Sequence, residues 1–363
     1  MNLLEQQLDY PFGEALPAEG SVLEVATGIK WIRMGLPFAL NHVNLWLLRD
    51  EMEDPSRPGG RIQGWSVIDC CISRDESKAQ WEAIFATQLE GLPILRVIVT
   101  HMHPDHIGLA HWLCERWTSA SHVCRLWISA TDFHSAHMAS QSTTAFGGDS
   151  AADFFASHGL SDSDSLEAIR GRTSYYAGLV PEVPARFCRL MDGQTVRIGQ
   201  HNWSCISGYG HAPEHIALSC PELKILISGD MVLPRISTNV SVYDLEPEAD
   251  PLSLFLESID RYLVLDEATL ILPSHGKPFR GLHVRIGQLK DHHRDRLAEV
   301  LHACSTRPCS AADIVPIMFQ RKLDLHQTTF AMGESIAHLH LLWLDGQLKR
   351  LIGDDAIYRF STA

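Results

Sequence analysis

The run His101-Met102-His103-Pro104-Asp105-His106-Ile107 places three imidazoles and a carboxylate within six positions, directly after the apolar stretch Val97-Ile98-Val99-Thr100. Imidazole and carboxylate are the donor types that suit zinc and neighbouring transition metals. His101 and His103 stand two residues apart. On an extended or looped backbone both side chains leave on the same side and can reach one ion. Asp105 and His106 follow as the chain turns and can reach a second. Further donors close later apolar runs. Gly210-His211-Ala212-Pro213-Glu214-His215 follows residues 203–206, Asp230 ends Ile225-Leu226-Ile227-Ser228-Gly229, and His275 follows Leu270-Ile271-Leu272-Pro273-Ser274. Each stands just past a strand candidate, where the loops of a layered α/β fold converge on a site. No Gly-x-Ser-x-Gly nucleophile elbow offers a competing chemistry.

The pattern His101-x-His103-x-Asp105-His106, followed by His211, Asp230 and His275, resembles the metallo-β-lactamase-fold hydrolase superfamily. The resemblance implies one metal held by His101, His103 and His211, a second held by Asp105, His106 and His275, and Asp230 bridging the pair. Two divalent ions are expected, Zn2+ first, with Fe or Mn tolerated by the same donors. Antibiotic-hydrolysing members usually carry Cys or Ser where this chain has Asp230. The resemblance therefore points to the glyoxalase-II-like branch and its RNase Z and lactonase relatives, with β-lactamase activity less favoured. Asp69 resembles the family's second-strand aspartate, which would orient a ligand by a hydrogen bond.

The implied chemistry is a metal-bridging hydroxide, formed as the ion pair lowers the pKa of a shared water toward ~7, attacking a carbonyl or phosphoryl centre. Asp105 is the candidate orienting base. The expected substrate is a small-molecule thioester or ester, in the manner of a hydroxyacylglutathione or acyl-thioester hydrolase. A lactonase and a single-stranded RNA endonuclease are the alternatives.

Substrate-contact candidates are His42, Tyr175 and Arg235, with Tyr176 and Tyr243 behind them. Arg235 either meets a substrate anion or ties down its own loop. Among the other histidines, His215 reads as a hydrogen-bonding neighbour of the ligands or a helix-start residue. His292 and His293 read as solvated on a charged helix. His134, His137 and His158 fall in an irregular segment and could face the cleft.

Those side chains need a scaffold, and the chain reads as α+β. Short strand candidates at 22–25, 29–34, 44–48 and 65–68 flank a turn-rich loop at 54–60. Residues 77–89 and 107–117 have helical spacing on either side of the strand that delivers the histidine run. The fold expected from the resemblance is a four-layer αββα metallo-β-lactamase sandwich followed by a small C-terminal winged-helix-like domain. The domains are expected at 1–285, with an insertion about 131–185, and at 286–363. The insertion reads as a lid or a homodimer contact.

Composition narrows the partners. At 363 residues with 45% hydrophobic and 20% charged residues, the chain is an ordinary globular sequence with room for two domains. Apolar runs stop short of the ~18 residues that span a bilayer, so no membrane partner is expected. The N-terminus has no basic and apolar leader pattern, and nine cysteines lack a framework spacing. Both point to a cytoplasmic protein with reduced thiols. Cys70 and Cys71 read as small buried hydrophobes. A formal net charge of −14 disfavours nucleic acid.

Overall fold

Strands β1 (Leu23–Ala26), β2 (Ile29–Gly35), β3 (His42–Glu53) and β4 (Arg61–Ile68) pair antiparallel in chain order. The parallel strands β5 (Ile94–Ile98), β6 (Arg125–Ser129) and β7 (Phe187–Leu190) complete this seven-stranded sheet. The computed structural model describes residues 3–54, 57–142 and 147–363. The expected turn-rich loop around Pro55 and Ser56, and the part of the insertion at 143–146, lie outside the described residues. All five residues of β5 are buried, as befits a parallel strand covered on both faces. The crossovers around it are α1 (Asp75–Thr87), then α2 (Pro104–Ile107) and α3 (Ala110–Trp117).

A second sheet holds β8 (Thr195–Ile198), β9 (His201–Gly208), β10 (His215–Cys220), β11 (Ile225–Gly229) and β12 (Leu270–Pro273), in the order β12-β11-β10-β9-β8. Apolar side chains from the two sheets meet face to face, among them Trp31, Trp46, Ile98, Trp203, Ile227 and Leu272. The outer face of the first sheet is covered by helices through Val67, Trp81, Val97, Leu113 and Phe133. The outer face of the second is covered through Leu226, Ile271, Phe255, Ile286 and Ile336. This is the four-layer αββα arrangement.

The insertion supplies α4 (Ala130–Gln141), α5 (Gly148–Ser157), α6 (Ser163–Arg170) and α7 (Tyr175–Leu179), and α8 (Pro251–Asp260) lies further on. The insertion is divided between two cores. Ala136 and Tyr176 pack with the first sheet, whereas Ala152, Phe155 and Ile169 join the core of the C-terminal helices. Those helices are α9 (Leu282–Thr306), α10 (Ala311–Met318) and α11 (Leu325–Leu344), followed by the hairpin β13 (Leu348–Ile352) and β14 (Tyr358–Thr362). The C-terminal region is thus helical with a terminal hairpin. Helix α9 runs unbroken through positions 285 and 286, where the sequence suggested a domain limit. Its first turns bury Leu282, Ile286 and Leu289 in the core of the second sheet.

Three local expectations change. Strand β3 extends to Glu53 because its polar tail pairs with the start of β4, which an apolar pattern does not reveal. The helix expected over 107–117 is broken at Gly108, where a Cβ would lie 2.6 Å from Ile72 Cα, so the chain bends for close backbone approach. His293 is buried rather than solvated. Its ring packs on Phe255, its Nδ1 lies 3.3 Å from His338 Nε2, and its neighbour His292 is half-covered. Helices α8 and α11 cover this face of α9, and the surrounding charges in the sequence conceal it. All nine cysteines are free, and Cys70 and Cys71 are buried. Among the described residues no helix is long and apolar enough to cross a membrane.

Candidate metal centre

The histidine run begins where β5 ends. Ring nitrogens of His101, His103 and His211 form a triangle with sides of 2.9, 3.1 and 3.2 Å. Each nitrogen carries either a proton or a lone pair, so three mutually close nitrogens cannot all be matched as donor and acceptor. Burial drives His101 and His103 well toward the neutral form, with neighbouring imidazoles adding to the effect. The neutral ring is the form that offers a lone pair to a cation.

The second group is centred on Asp105, His106 and His275. Asp105 Oδ2 lies 3.6 Å from His106 Nε2 and 3.4 Å from His275 Nε2. Asp230 stands between the groups. Its Oδ2 is 3.3 Å from His211 Nε2 and 3.6 Å from His106 Nε2, and its Oδ1 is 3.4 Å from His275 Nε2. Burial would push the Asp230 carboxyl up, but His275 and His106 outweigh it and hold the acid well below the usual carboxylate range. Burial likewise works against protonation of His106, and the Asp105 and Asp69 carboxylates overcome it. His106 Nε2 and Asp230 Oδ1 are buried and make no hydrogen bond among the described residues. Buried polar atoms are rarely left so. The donor set fits two cations.

The outer nitrogens are held by the fold. His211 Nδ1 donates to Asn239 O at 2.7 Å, and His275 Nδ1 donates to His42 O at 2.7 Å. His106 Nδ1 donates to Asp69 Oδ2 at 2.8 Å. These bonds fix the tautomers that leave Nε2 turned inward. Asp69 also accepts from the Thr100 backbone and hydroxyl, and these contacts hold it at a φ of 60°. A non-glycine residue pays strain there unless its surroundings compel it. His215 begins β10 rather than a helix. Its Nε2 accepts the backbone N–H of Asp230, and its ring lies 5.1 Å from that of His101.

The remaining candidates divide. The His42 ring accepts the Gly276 N–H, and burial pushes it down to about 3. Its side chain is thus engaged in shaping the His275 loop. Tyr176 is buried and donates to Met102 O at 2.5 Å, pinning α7 over the histidine run. Tyr175 and Tyr243 line a cleft beside it. Arg235 is exposed, 3.9 Å from Glu5 at the surface. Its suggested loop-tying role belongs instead to Arg285 of α9, which donates to Leu233 O and Ile236 O. His134 and His137 pack at the α4 surface beside Phe133, and His158 is buried against Phe154 and Tyr358, so none of these three faces the cleft.

Two organising residues escaped the sequence. Buried Asp132 accepts the backbone N–H of Met102 at 2.7 Å and that of Glu214 at 2.6 Å, clamping together the loops that carry His101, His103 and His211. The pattern Ser129-x-x-Asp132 reads only as a helix cap, which it also is. Asn44 joins β3 to the His275 loop by donating to Pro273 O and Gly276 O.

Residues 61–297 match the family model described as Metallo-beta-lactamase superfamily, and residues 297–363 match that described as Metallo-beta-lactamase-like, C-terminal domain. The chain is 23% identical over 341 residues to the probable metallo-hydrolase YqjP of Bacillus subtilis (strain 168), covering 86% of this chain and 91% of the relative. A beta-lactamase domain protein from Burkholderia ambifaria is 53% identical, with all of both chains covered and a TM-score of 0.93. The metallo-beta-lactamase family protein TTHA1429 from Thermus thermophilus is 25% identical, with 94% of this chain and 100% of the other covered and a TM-score of 0.73.

Proposed function

The chain belongs to the metallo-β-lactamase superfamily, and on that footing we propose that it is a two-metal hydrolase of small thioesters or esters, with Asp105 as its orienting carboxylate. The observation that carries the reading is Asp230. Its carboxylate faces both groups, Oδ2 toward His211 of one and His106 of the other, and Oδ1 toward His275 of the second. A shared carboxylate of this kind suits a pair of neighbouring cations. Two divalent ions held by these donors, Zn2+ foremost, would supply Lewis acidity and a more acidic water.

The chain's own groups do the remaining work. His101, His103 and His211 hold one position, and Asp105, His106 and His275 hold the other. Thr100, Asp69 and the carbonyls of Asn239 and His42 keep the rings in register. Asp105 is the more open carboxylate, 19% exposed against 9% for Asp230. It is the one free to accept a hydrogen bond from water and aim that water at a bound carbonyl.

Charge supports a small substrate over RNA. In the C-terminal region Arg294, Arg296, Arg307, Arg350 and Arg359 are each paired with a carboxylate, which removes much of the positive surface a phosphate backbone would need. Nine free cysteines suit a reducing compartment, in keeping with a cytoplasmic enzyme. The test is metal-loaded protein assayed in parallel on an acyl-thioester, a lactone, a β-lactam, a phosphodiester and single-stranded RNA. Chelator-sensitive thioester or ester turnover supports the reading. Preference for the phosphodiester or RNA overturns it.

A further inference from the structure

Three distant segments meet beside the metal centre. Helix α7 is pinned over the histidine run by the Tyr176 hydroxyl, and its neighbour Tyr175 is close enough to feel the Asp105 charge. The Tyr175 hydroxyl lies 3.4 Å from His326 Nδ1 at the start of α11. The His326 ring is held between Phe38, from the β2–β3 loop, and Phe330, at centroid distances of 5.7 and 4.7 Å. Arg172 completes the wall, its guanidinium 5.7 Å from the centre of the Tyr175 ring. The cleft between these groups is narrow.

Arg172 lines the same cleft. It is half-buried, yet among the described residues no carboxylate lies within ion-pairing distance and no acceptor takes its N–H groups. Among the described residues only the Tyr175 ring faces this half-buried guanidinium closely, and its planar fork matches carboxylate and phosphate oxygens. Asp244 lines the same cleft, with one carboxylate oxygen buried and without a hydrogen bond among the described residues.

We infer that Arg172, Tyr175 and His326 form a specificity subsite for an anionic end of the substrate, a carboxylate or phosphate set off from the scissile carbonyl by an apolar stem. Phe38 and Phe330 flank the stem. Arg172 forks onto the anion, and His326 and Tyr175 offer further hydrogen bonds. The cleft volume of about 20 Å³ holds little more than one water, so it must widen to take a terminal anion, and it has no room for a continuing polymer. This subsite rests on the thioester or ester reading above and narrows its substrate class.

The experiment uses metal-loaded protein and thioesters that share one reacting carbonyl but end in a carboxylate, a phosphate or a neutral amide. The wild type is expected to favour one anionic end over the amide by about tenfold in kcat/KM, chiefly through KM, and Arg172→Met should erase that ratio while Arg172→Lys keeps part of it. The better of the two anions identifies the native group. An equal rate on all three ends, or a ratio that survives Arg172→Met, overturns the subsite. If neither these thioesters nor the matching oxygen esters are cleaved, the functional reading has failed and the subsite is judged by binding alone. Hexanoate and hexanamide are then titrated calorimetrically into the loaded wild type and the Arg172→Met variant. Weakening of hexanoate alone by about tenfold upholds the subsite, and unchanged hexanoate binding refutes it.

Discussion

The Asn239 side chain sits beside Glu334 on the last long helix, close enough to oppose the rise of its carboxyl, and the Asn239 backbone oxygen takes the Nδ1 proton of His211. Ser241 donates to Asn239 Oδ1 at 2.9 Å, so only the amide N–H groups can face Glu334. The C-terminal helix packs tightly here, since a Cβ on Gly333 would fall 2.7 Å from Ser241 Cβ. A residue of the C-terminal region therefore stands one side chain away from the residue that holds His211.

Glu334→Ala is expected to loosen His211 and weaken metal binding by roughly 10–100-fold, the usual range for an outer partner of a ligating histidine. Competition against a chromophoric chelator measures it. Glu334→Gln should retain most of the affinity, because the amide fills the same space beside Asn239 and can accept from it. Equal affinity in all three proteins would separate the C-terminal helix from the centre.

Burial raises the Glu334 carboxyl from its ordinary 4.5 to about 7, with the Asn239 side chain opposing the rise. The folded protein holds this proton more firmly than the unfolded chain. Its favourable contribution is full below pH ~4.5 and is lost as pH climbs through about 7. Relative to Glu334→Gln, the wild type should lose stability across that window, on the order of 3 kcal/mol by pH 8. Urea melts at several pH values follow the difference, and a constant gap would contradict it.

Asp132 has two backbone donors and needs a full carboxylate. Asp132→Asn turns an N–H group toward one of them. A loss of about 1–3 kcal/mol is expected, together with slower turnover as the two loops drift apart. Denaturant midpoints and kcat should fall together. A variant with normal kcat would confine Asp132 to stability.

Removing a donor should remove metal. Elemental analysis of His101→Ala should find one ion depleted, and Asp230→Ala should deplete both, each with turnover reduced by more than about 100-fold. Chelation should lower the melting temperature, and adding back Zn2+, Fe or Mn in turn should restore it, since an ion that binds only the folded state stabilises that state. Retained activity without metal would remove the two-metal reading.

Gly229 lies in the left-handed region at φ 53°, and a Cβ there would stand 2.0 Å from His215 Nε2. Gly229→Ala should displace His215 from the Asp230 backbone and cost at least ~2 kcal/mol through combined strain and overlap. Thermal unfolding checks it, and a neutral substitution would show that the loop yields.

The side chains that gather at the candidate metal centre were legible in the sequence because donor type is a property of residue identity and local spacing. His101 and His103 sit two apart, and each later donor closes an apolar strand. The same local logic exposed the two sheets, since strand burial follows side-chain period. Tertiary structure alone decided which polar groups hold those donors in place. Asp132 reaches Glu214 across 82 positions, and the link from His211 through Asn239 ends on a helix some ninety residues further on. Hydrogen bonds over such separations leave no periodic trace. For the same reason His293 read as solvated, Arg235 stood in for Arg285, and Arg172 drew no notice. What an isolated arginine or histidine does depends on which neighbours have covered it, and that is set by packing between elements rather than by order along the chain.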